Sequence, residues 1–124
     1  MPSRLRVLIV DDHPGLVRAL CRLLTCDYDV VACLADASKL LEVAHDLQPD
    51  VIVLDLNLPN ADGLKVCRQV TQANPEIKVI LFTAGNDPDI RKRAFEAGAS
   101  AFVDKLEQDE ALLSAVRRLD ASRG

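Results

Sequence analysis

The segment VIVLDLNLP, at positions 51–59, decides the fold class of this chain. Its first four residues are all aliphatic and lack the apolar–polar alternation of a strand that has one face in water. Such a run is typical of a strand in a parallel sheet that is covered by helices on both faces. The run ends in Asp55, so it also brings a charged group to the end of a buried strand.

Four other apolar runs predict strands, and amphipathic segments follow each of them. The predicted strands cover residues 5–10, 30–34, 51–54, 77–82 and 101–103. Apolar spacing and cap signals predict helices around residues 17–24, 40–47, 63–70, 87–98 and 112–119. Five strands that alternate with five helices favour an α/β fold with a parallel sheet.

Local signals mark the ends of two of these helices. The Asp-Pro-Asp sequence at 87–89 predicts an N-cap, an N1 proline and a first-turn acid. Gly98 predicts the end of the same helix, because glycine readily adopts the left-handed conformation that follows a helix. Asp36 or Ser38 is the expected cap of the second helix.

Size and composition limit the class of protein. A chain of 124 residues has room for one compact domain. No apolar run approaches the roughly 20 residues that cross a bilayer. The N-terminus becomes acidic at Asp11, too early for a signal peptide, so we expect a cytoplasmic protein. The net charge of −4 argues against a nucleic-acid-binding surface. Four cysteines without CxxC spacing are expected to be reduced thiols.

Charged and polar residues stand at the ends of four predicted strands. They are Asp11, Asp12, Asp55, Thr83 and Lys105. Because ligands of doubly wound sheets bind outside the carboxyl ends of the strands, we expect these residues to share one shallow site. Taken singly, each is better explained structurally, Asp12 as a helix N-cap and Lys105 as a surface lysine. Their combination favours a functional site.

The chemistry of this residue set points to phosphoryl transfer. Three clustered carboxylates repel each other unless a cation compensates their charge, and Mg²⁺ suits a site with few carboxylates and a phosphate oxygen. An aspartate carboxylate can attack phosphorus and form an acyl phosphate. The reaction depends on positioning and charge neutralisation, which a metal ion, a lysine and a threonine hydroxyl supply without a general base.

From Leu5 to about Leu119, the order and spacing of these motifs resemble the receiver domain of bacterial two-component response regulators. The resemblance implies a flavodoxin-like (βα)5 fold, with a doubly wound five-stranded parallel sheet in the order 2-1-3-4-5. It implies a single receiver domain over 1–124, with a core at about 5–119 and a tail or truncated linker at 120–124.

The resemblance also implies how the acidic residues divide their roles. Asp55 matches the phosphoacceptor of the family. Asp11 and Asp12 match the pair that holds Mg²⁺ (or Mn²⁺), Asp12 directly and Asp11 mainly through water. Asp55 itself and the backbone carbonyl of Asn57 are implied as the remaining protein ligands.

The other matched positions concern the switch and the phosphate. Thr83 matches the switch hydroxyl, Phe102 the switch aromatic and Lys105 the phosphate-pairing lysine. Ala84 matches the small residue that leaves the phosphoryl group accessible. The family usually has proline after the lysine, often with a cis bond, but Leu106 stands here. Because a cis bond costs roughly 2.5–4 kcal/mol without proline, we expect a trans peptide.

The implied function is that of a phosphoprotein switch rather than an enzyme. A sensor histidine kinase or a phosphotransfer protein would donate its phosphoryl group to Asp55 and alter the surface of the fourth helix, fifth strand and fifth helix. The sequence DDHP at 11–14 resembles receivers that precede a LuxR-type helix-turn-helix domain. For His13, a role as an acid–base group or metal ligand competes with that of a solvated first-turn residue, which we favour. This implies transcription control through a domain absent from this chain, and it is compatible with a phosphorylation-dependent homodimer. Neither a membrane nor nucleic acid is an expected partner of this domain.

Two other classes compete with this interpretation. One is a receiver that acts as a stand-alone or phosphorylation-independent interaction module, against which the complete set of site residues argues. The other is a flavin binder or an aspartate-nucleophile phosphatase. Asp11 and Asp12 would repel a flavin phosphate, and Asn57 stands where a haloacid dehalogenase phosphatase would need a second acid.

Overall fold

The computed structural model describes residues 4–85, 87–107 and 109–122. Its strands are β1 (Arg6–Val10), β2 (Asp29–Leu34), β3 (Val51–Asp55), β4 (Lys78–Thr83) and β5 (Ala101–Asp104). Its helices are α1 (Pro14–Leu24), α2 (Leu40–Leu47), α3 (Gly63–Ala73), α4 (Pro88–Glu96) and α5 (Asp109–Ser122). Strands and helices alternate along the chain, as the apolar pattern predicts.

All five strands lie parallel in one sheet of order β2-β1-β3-β4-β5. This confirms the predicted flavodoxin-like order. The chain turns to one side of β1 to form β2 and then to the other side to form β3. Because the connections after β1 and β3 diverge, their carboxyl ends border a crevice.

Helices cover the sheet on both faces, which explains the uninterrupted apolar run at 51–54. Ile52 and Leu54 of β3 face one apolar cluster, which includes buried residues of α2, α3 and α4. Val51 and Val53 face the opposite cluster, which includes buried residues of α1 and α5. Each such side chain contributes about 1.5–3 kcal/mol when it is fully removed from water. The strand that ends in Asp55 is therefore held firmly from both sides.

The predicted ends of α4 are confirmed. The Asp87 side chain accepts a hydrogen bond from the Asp89 backbone N–H, and Pro88 opens the helix. Gly98, with φ +102°, follows the helix end at Ala97. This left-handed conformation favours glycine.

The expected cap of α2 is wrong. The helix begins at Leu40 after Lys39, whose side chain makes no capping hydrogen bond. Asp36 instead accepts hydrogen bonds from the backbone N–H and the hydroxyl of Ser38. These two residues form a local turn before the helix, which satisfies their polar groups without capping it.

Most element ends differ by one or a few residues from the sequence prediction, and two of the differences have a visible cause or consequence. β4 begins at Lys78 because the Ile77 backbone N–H bonds to the Asn74 carbonyl in a turn. α5 continues through Ser122, so residues 120–122 of the expected tail are helical, while 123 and 124 lie outside the described residues. Within the described residues, no helix has the length and apolar content to cross a membrane.

The packing at the start of α3 yields a stability test. A Cβ atom on Gly63 would lie 2.5 Å from the Leu56 carbonyl oxygen, whereas one on Gly15, in α1, meets nothing within 4 Å. We expect Gly63→Ala to lower the free energy of unfolding by about 1–3 kcal/mol, since the backbone must shift. Gly15→Ala is the matched control and should raise it by roughly 0.5–1 kcal/mol, because alanine loses less backbone entropy in a helix. Urea unfolding of both variants measures the difference, and equal effects would contradict the packing argument.

Candidate functional site at the carboxyl edge of the sheet

The parallel strands bring the predicted site residues to one edge of the sheet. Asp11 and Asp12 follow β1 directly, and Asp55 is the last residue of β3. Thr83 is the last residue of β4, and Lys105 follows β5. Asp11, Asp55 and Thr83 are all buried. Side chains that are far apart in sequence therefore meet in one place, as the strand-end pattern predicts.

The Lys105 ammonium group links the ends of three strands. Its Nζ atom lies 3.0 Å from Asp11 Oδ2 and 3.2 Å from Asp55 Oδ2. The Lys105 side chain is 15% exposed, and those of Asp11 and Asp55 are only 3% and 1% exposed. Ion pairs this far from water are screened little, so removing one partner leaves a costly uncompensated charge.

The two oxygens of Asp55 have different surroundings. Oδ1 accepts a hydrogen bond of 2.9 Å from the Asn57 backbone N–H. Oδ2 is buried and accepts no hydrogen bond, although the Lys105 Nζ atom is in ion-pair contact with it. A buried carboxylate oxygen without a hydrogen bond is unfavourable unless another group compensates it. Oδ2 is therefore the oxygen left available for a ligand or for chemistry.

Asp12 has a similar free oxygen and does not cap a helix. The N-cap residue of α1 is His13, which makes no side-chain capping bond, so the structural explanation of Asp12 fails. The Asp12 Oδ1 atom is buried and accepts no hydrogen bond. His13 Nδ1 lies 3.2 Å from both Asp11 Oδ1 and Asp12 Oδ1. His13 thus contacts the acidic cluster, although the sequence favoured a solvated first-turn residue over a metal-ligand or acid–base role.

The donor set fits a divalent cation. Single ligand atoms of Asp11, Asp12, His13 and Asp55 all lie within 4.8 Å of one another. Two of the carboxylates carry the buried oxygens without hydrogen bonds, and one ammonium group compensates only part of the charge of three carboxylates. Hard cations such as Mg²⁺ prefer oxygen ligands of this kind. An acidic cluster with unsatisfied oxygens is therefore present where the strand ends predict a metal site.

Thr83 is connected to the loop that follows Asp55. Its hydroxyl oxygen accepts a hydrogen bond of 2.7 Å from the Asn57 side-chain amide. Its backbone carbonyl accepts one of 2.6 Å from the Lys105 backbone N–H. The sequence interpretation gave Asn57 only a backbone role, since no pattern signals a side-chain contact across 26 positions.

Phe102 is already packed inward in this structure. Its side chain is buried, and the Arg91 guanidinium carbon lies 5.8 Å from the centre of its ring. The same guanidinium group is 5.5 Å from the ring of the exposed Phe95. Arg91 thus covers the aromatic residue in a cation–π contact.

Asp104 joins two loops beside the site. Its Oδ1 atom accepts hydrogen bonds from the backbone N–H groups of Gly85, at 3.2 Å, and Leu106, at 2.8 Å. Among the described residues no peptide bond is cis, so the expected trans bond after Lys105 is confirmed. A proline at position 106 would have no N–H to donate. Leu106 therefore supplies a contact that the usual family residue cannot make.

The site opens to solvent through a cavity with a partly apolar wall. Its lining residues are His13, Pro14, Gly15, Leu16, Asp55, Asn57, Ala84 and Lys105. The first four come from the start of α1, and Ala84 is exposed at the mouth. A small residue at this position leaves the approach to Asp55 open.

Curated proteins similar to this chain are longer regulators. The DNA-binding response regulator MtrA of Mycolicibacterium smegmatis is 34% identical over 114 residues, which cover 92% of this chain and 50% of that protein. The response regulator GacA of Pseudomonas aeruginosa is 30% identical over 122 residues, which cover 96% of this chain and 56% of that protein. This chain spans about half the length of these relatives.

Solved structures and a family model agree with this similarity. A LuxR-family two-component response regulator from Aurantimonas sp. SI85-9A1 is 33% identical, with a TM-score of 0.90, over 97% of this chain and 87% of that one. The BeF3-activated DrrB receiver domain is 29% identical, with a TM-score of 0.83, over 94% of this chain and 97% of that one. The model of the response regulator receiver domain matches residues 7–117. Since this match spans nearly the whole sheet and its helices, the chain belongs to the response regulator receiver domain family of two-component signalling proteins.

Proposed function

We propose that this domain accepts a phosphoryl group on Asp55 from the phosphohistidine of a sensor histidine kinase or a phosphotransfer protein. The observation that carries the proposal is the contact of the Lys105 ammonium with both Asp11 and Asp55, beside an Asp55 oxygen that accepts no hydrogen bond. This arrangement offers a nucleophile and a positive charge at the same opening. As a phosphoprotein, the domain turns over no separate substrate.

The surroundings of Asp55 support a specific attacking atom. Oδ1 is engaged by the Asn57 N–H, so Oδ2 is the nucleophile. Its bond to phosphorus forms as the bond between phosphorus and the histidine nitrogen of the donor breaks. Lys105 remains next to the new acyl phosphate and neutralises charge on the phosphoryl oxygens.

Asp11, Asp12 and Asp55, with the backbone carbonyl of Asn57, are the residues that would hold Mg²⁺ or Mn²⁺. When bound, the divalent cation neutralises charge on the carboxylates and on the phosphoryl oxygens. The buried Asp12 oxygen that accepts no hydrogen bond supports this assignment. The exposed His13 ring contacts Asp11 and Asp12 through its Nδ1 atom.

Thr83 and Phe102 act as the switch. The Thr83 hydroxyl accepts a hydrogen bond from Asn57 here, so its own proton is available to a phosphoryl oxygen. Phosphorylation biases an existing equilibrium toward the state in which Thr83 makes that bond and Phe102 is inward. Phe102 is inward in this structure, which is the position that the proposed phosphorylated state requires. The readout is the surface formed by α4, β5 and α5.

For the whole protein we propose a cytoplasmic transcription regulator. Its relatives are about twice as long and are named DNA-binding or response regulators. The LuxR-family similarity and the DDHP sequence support a C-terminal helix-turn-helix domain beyond a single receiver domain at 1–124. In this proposal the other domain contacts DNA, and phosphorylation promotes a homodimer.

The metal assignment has a direct test. We expect Mg²⁺ to raise the melting temperature of the unmodified protein, because a ligand that binds only the folded state stabilises it. In Asp12→Asn the Mg²⁺ affinity, measured by calorimetry, should fall roughly tenfold or more. Loss of a residue that only orients a ligand already weakens metal binding about that much, and loss of a direct ligand weakens it at least as much. Asp46→Asn, on the exposed part of α2, is the control and should bind normally. Unchanged affinity in Asp12→Asn would disprove the assignment.

The phosphoacceptor is tested by mass spectrometry. Incubated with acetyl phosphate and Mg²⁺, the unmodified protein and Asp46→Asn should gain one phosphoryl mass increment. Asp55→Asn should gain none, because the amide is not a nucleophile for phosphorus. Equal labelling of Asp55→Asn would show that another residue is the acceptor. Absence of labelling in every protein would favour the phosphorylation-independent module.

The role of the residue after Lys105 can be tested with a matched pair. Leu106→Pro removes the N–H that bonds to Asp104 and should lower the free energy of unfolding by about 1–3 kcal/mol. Leu106→Ala keeps the N–H and loses only an 80% exposed side chain, so it should change stability by less than about 0.5 kcal/mol. Urea unfolding measures the stability of both variants. An unchanged free energy of unfolding in Leu106→Pro would mean that the hydrogen bond contributes nothing to stability.

A further inference from the structure

Two cysteines outside the phosphorylation site lie in contact. Cys21 is on α1 and Cys33 is on β2, and their sulfur atoms are 3.5 Å apart in a thiol–thiol hydrogen bond. The register of β1 and β2 pairs Cys33 with Ile9, whose side chain belongs to the same apolar cluster that Cys21 packs against. Tertiary structure thus places both thiols on one face of the sheet.

The pair is close enough to bond and open to reagents. A disulfide has a sulfur–sulfur distance of about 2.0 Å, so the two atoms need to approach by about 1.5 Å from their 3.5 Å contact. Cys33 is exposed on the edge strand, and Cys21 is half-buried. A shift of that size is within reach of side-chain rotation.

The other two cysteines have different partners. Cys67 is buried, and its thiol donates to the Ala97 carbonyl. Cys26 is exposed, lies in the turn after α1 and contacts the Arg22 carbonyl of that helix. Among the described residues, sulfur-to-sulfur contact is confined to Cys21 and Cys33, which makes them a selective pair rather than part of a general thiol surface.

We propose that Cys21 and Cys33 form a reversible intramolecular disulfide on exposure to a peroxide. One thiolate attacks a peroxide oxygen, the O–O bond breaks, and a sulfenic acid and one water (or alcohol) result. The second sulfur attacks the sulfenic sulfur, the S–O bond breaks, and a disulfide and a further water form. The two thiols together lose two electrons and two protons, and the peroxide is reduced. A small dithiol restores the reduced pair.

The local environment controls the rate of this reaction. Partial desolvation of the Cys33 sulfur and its hydrogen bond to Cys21 raise the pKa of the Cys33 thiol to about 11. Because thiolates are the reactive form, Cys33 is protected near neutral pH and the oxidation accelerates as the pH rises.

The disulfide would connect α1 to the edge strand. It would close the segment from Cys21 to Cys33, which includes the end of α1 and the turn into β2. Such a cross-link restricts the unfolded chain and so stabilises the fold. It would also restrain α1, whose first residues line the cavity above Asp55.

Peroxide treatment of the Cys26→Ser variant provides the test, since Cys26 and Cys33 share one tryptic peptide. After hydrogen peroxide treatment and alkylation, we expect a tryptic digest to contain a disulfide cross-link between the Cys21 and Cys33 peptides. When the oxidised protein is alkylated after unfolding, only Cys67 should be modified. Dithiothreitol should reduce the disulfide and restore both thiols. The melting temperature should rise by about 5 °C or more on oxidation. The yield at a fixed time should increase from pH 7 to pH 9.

Two further variants complete the experiment. Cys21→Ser and Cys33→Ser, each combined with Cys26→Ser, should form no intramolecular cross-link and show no rise in melting temperature. Separate oxidation of both sulfurs to sulfinic or sulfonic acid in the Cys26→Ser protein would overturn the proposal. So would disulfides formed only between molecules, or both thiols remaining open to alkylation. Because both sites are partly exposed and serine is close in size, we expect these variants to fold.

Discussion

The contact of one ammonium group with two buried carboxylates determines the charge and the geometry of the candidate site. Lys105 reaches Asp11 at 3.0 Å and Asp55 at 3.2 Å, so a single charge joins the ends of β1, β3 and β5. The contact leaves the site under-compensated, because Asp12 adds a third negative charge close by. This excess of negative charge favours ligands that bring positive charge.

The sheet maintains this unfavourable arrangement because both of its faces are packed. β3 lies at the centre of the strand order, and its residues alternate between the two apolar clusters. Burial of many aliphatic side chains outweighs the cost of a few desolvated carboxylates. The packed strands therefore hold the charged residues at their ends, and in the loops directly after them, in fixed positions.

Those loops are joined by hydrogen bonds that run from one strand end to the next. The Asn57 side-chain amide donates a hydrogen bond to the Thr83 hydroxyl, and the Lys105 backbone N–H donates one to the Thr83 carbonyl. Asp104 then connects Gly85 with Leu106. In the switch that we propose, a change at Asp55 passes along this series to the surface of α4 and β5. The Cys21–Cys33 contact is on the far side of β1, so it offers chemistry that is separate from this series.

By itself the sequence determined the fold class, the strand order through its family resemblance, and the set of acids, threonine and lysine that meet at the sheet edge. It did so because apolar periodicity and strand ends are local properties that parallel pairing converts into proximity. Tertiary structure alone decided which atoms touch: the free oxygens of Asp12 and Asp55, the His13 contact, the Asn57 amide on Thr83 and the paired thiols. Those depend on side-chain directions and loop paths, which no residue pattern specifies, because a hydrogen bond or sulfur contact requires placement within a fraction of an ångström.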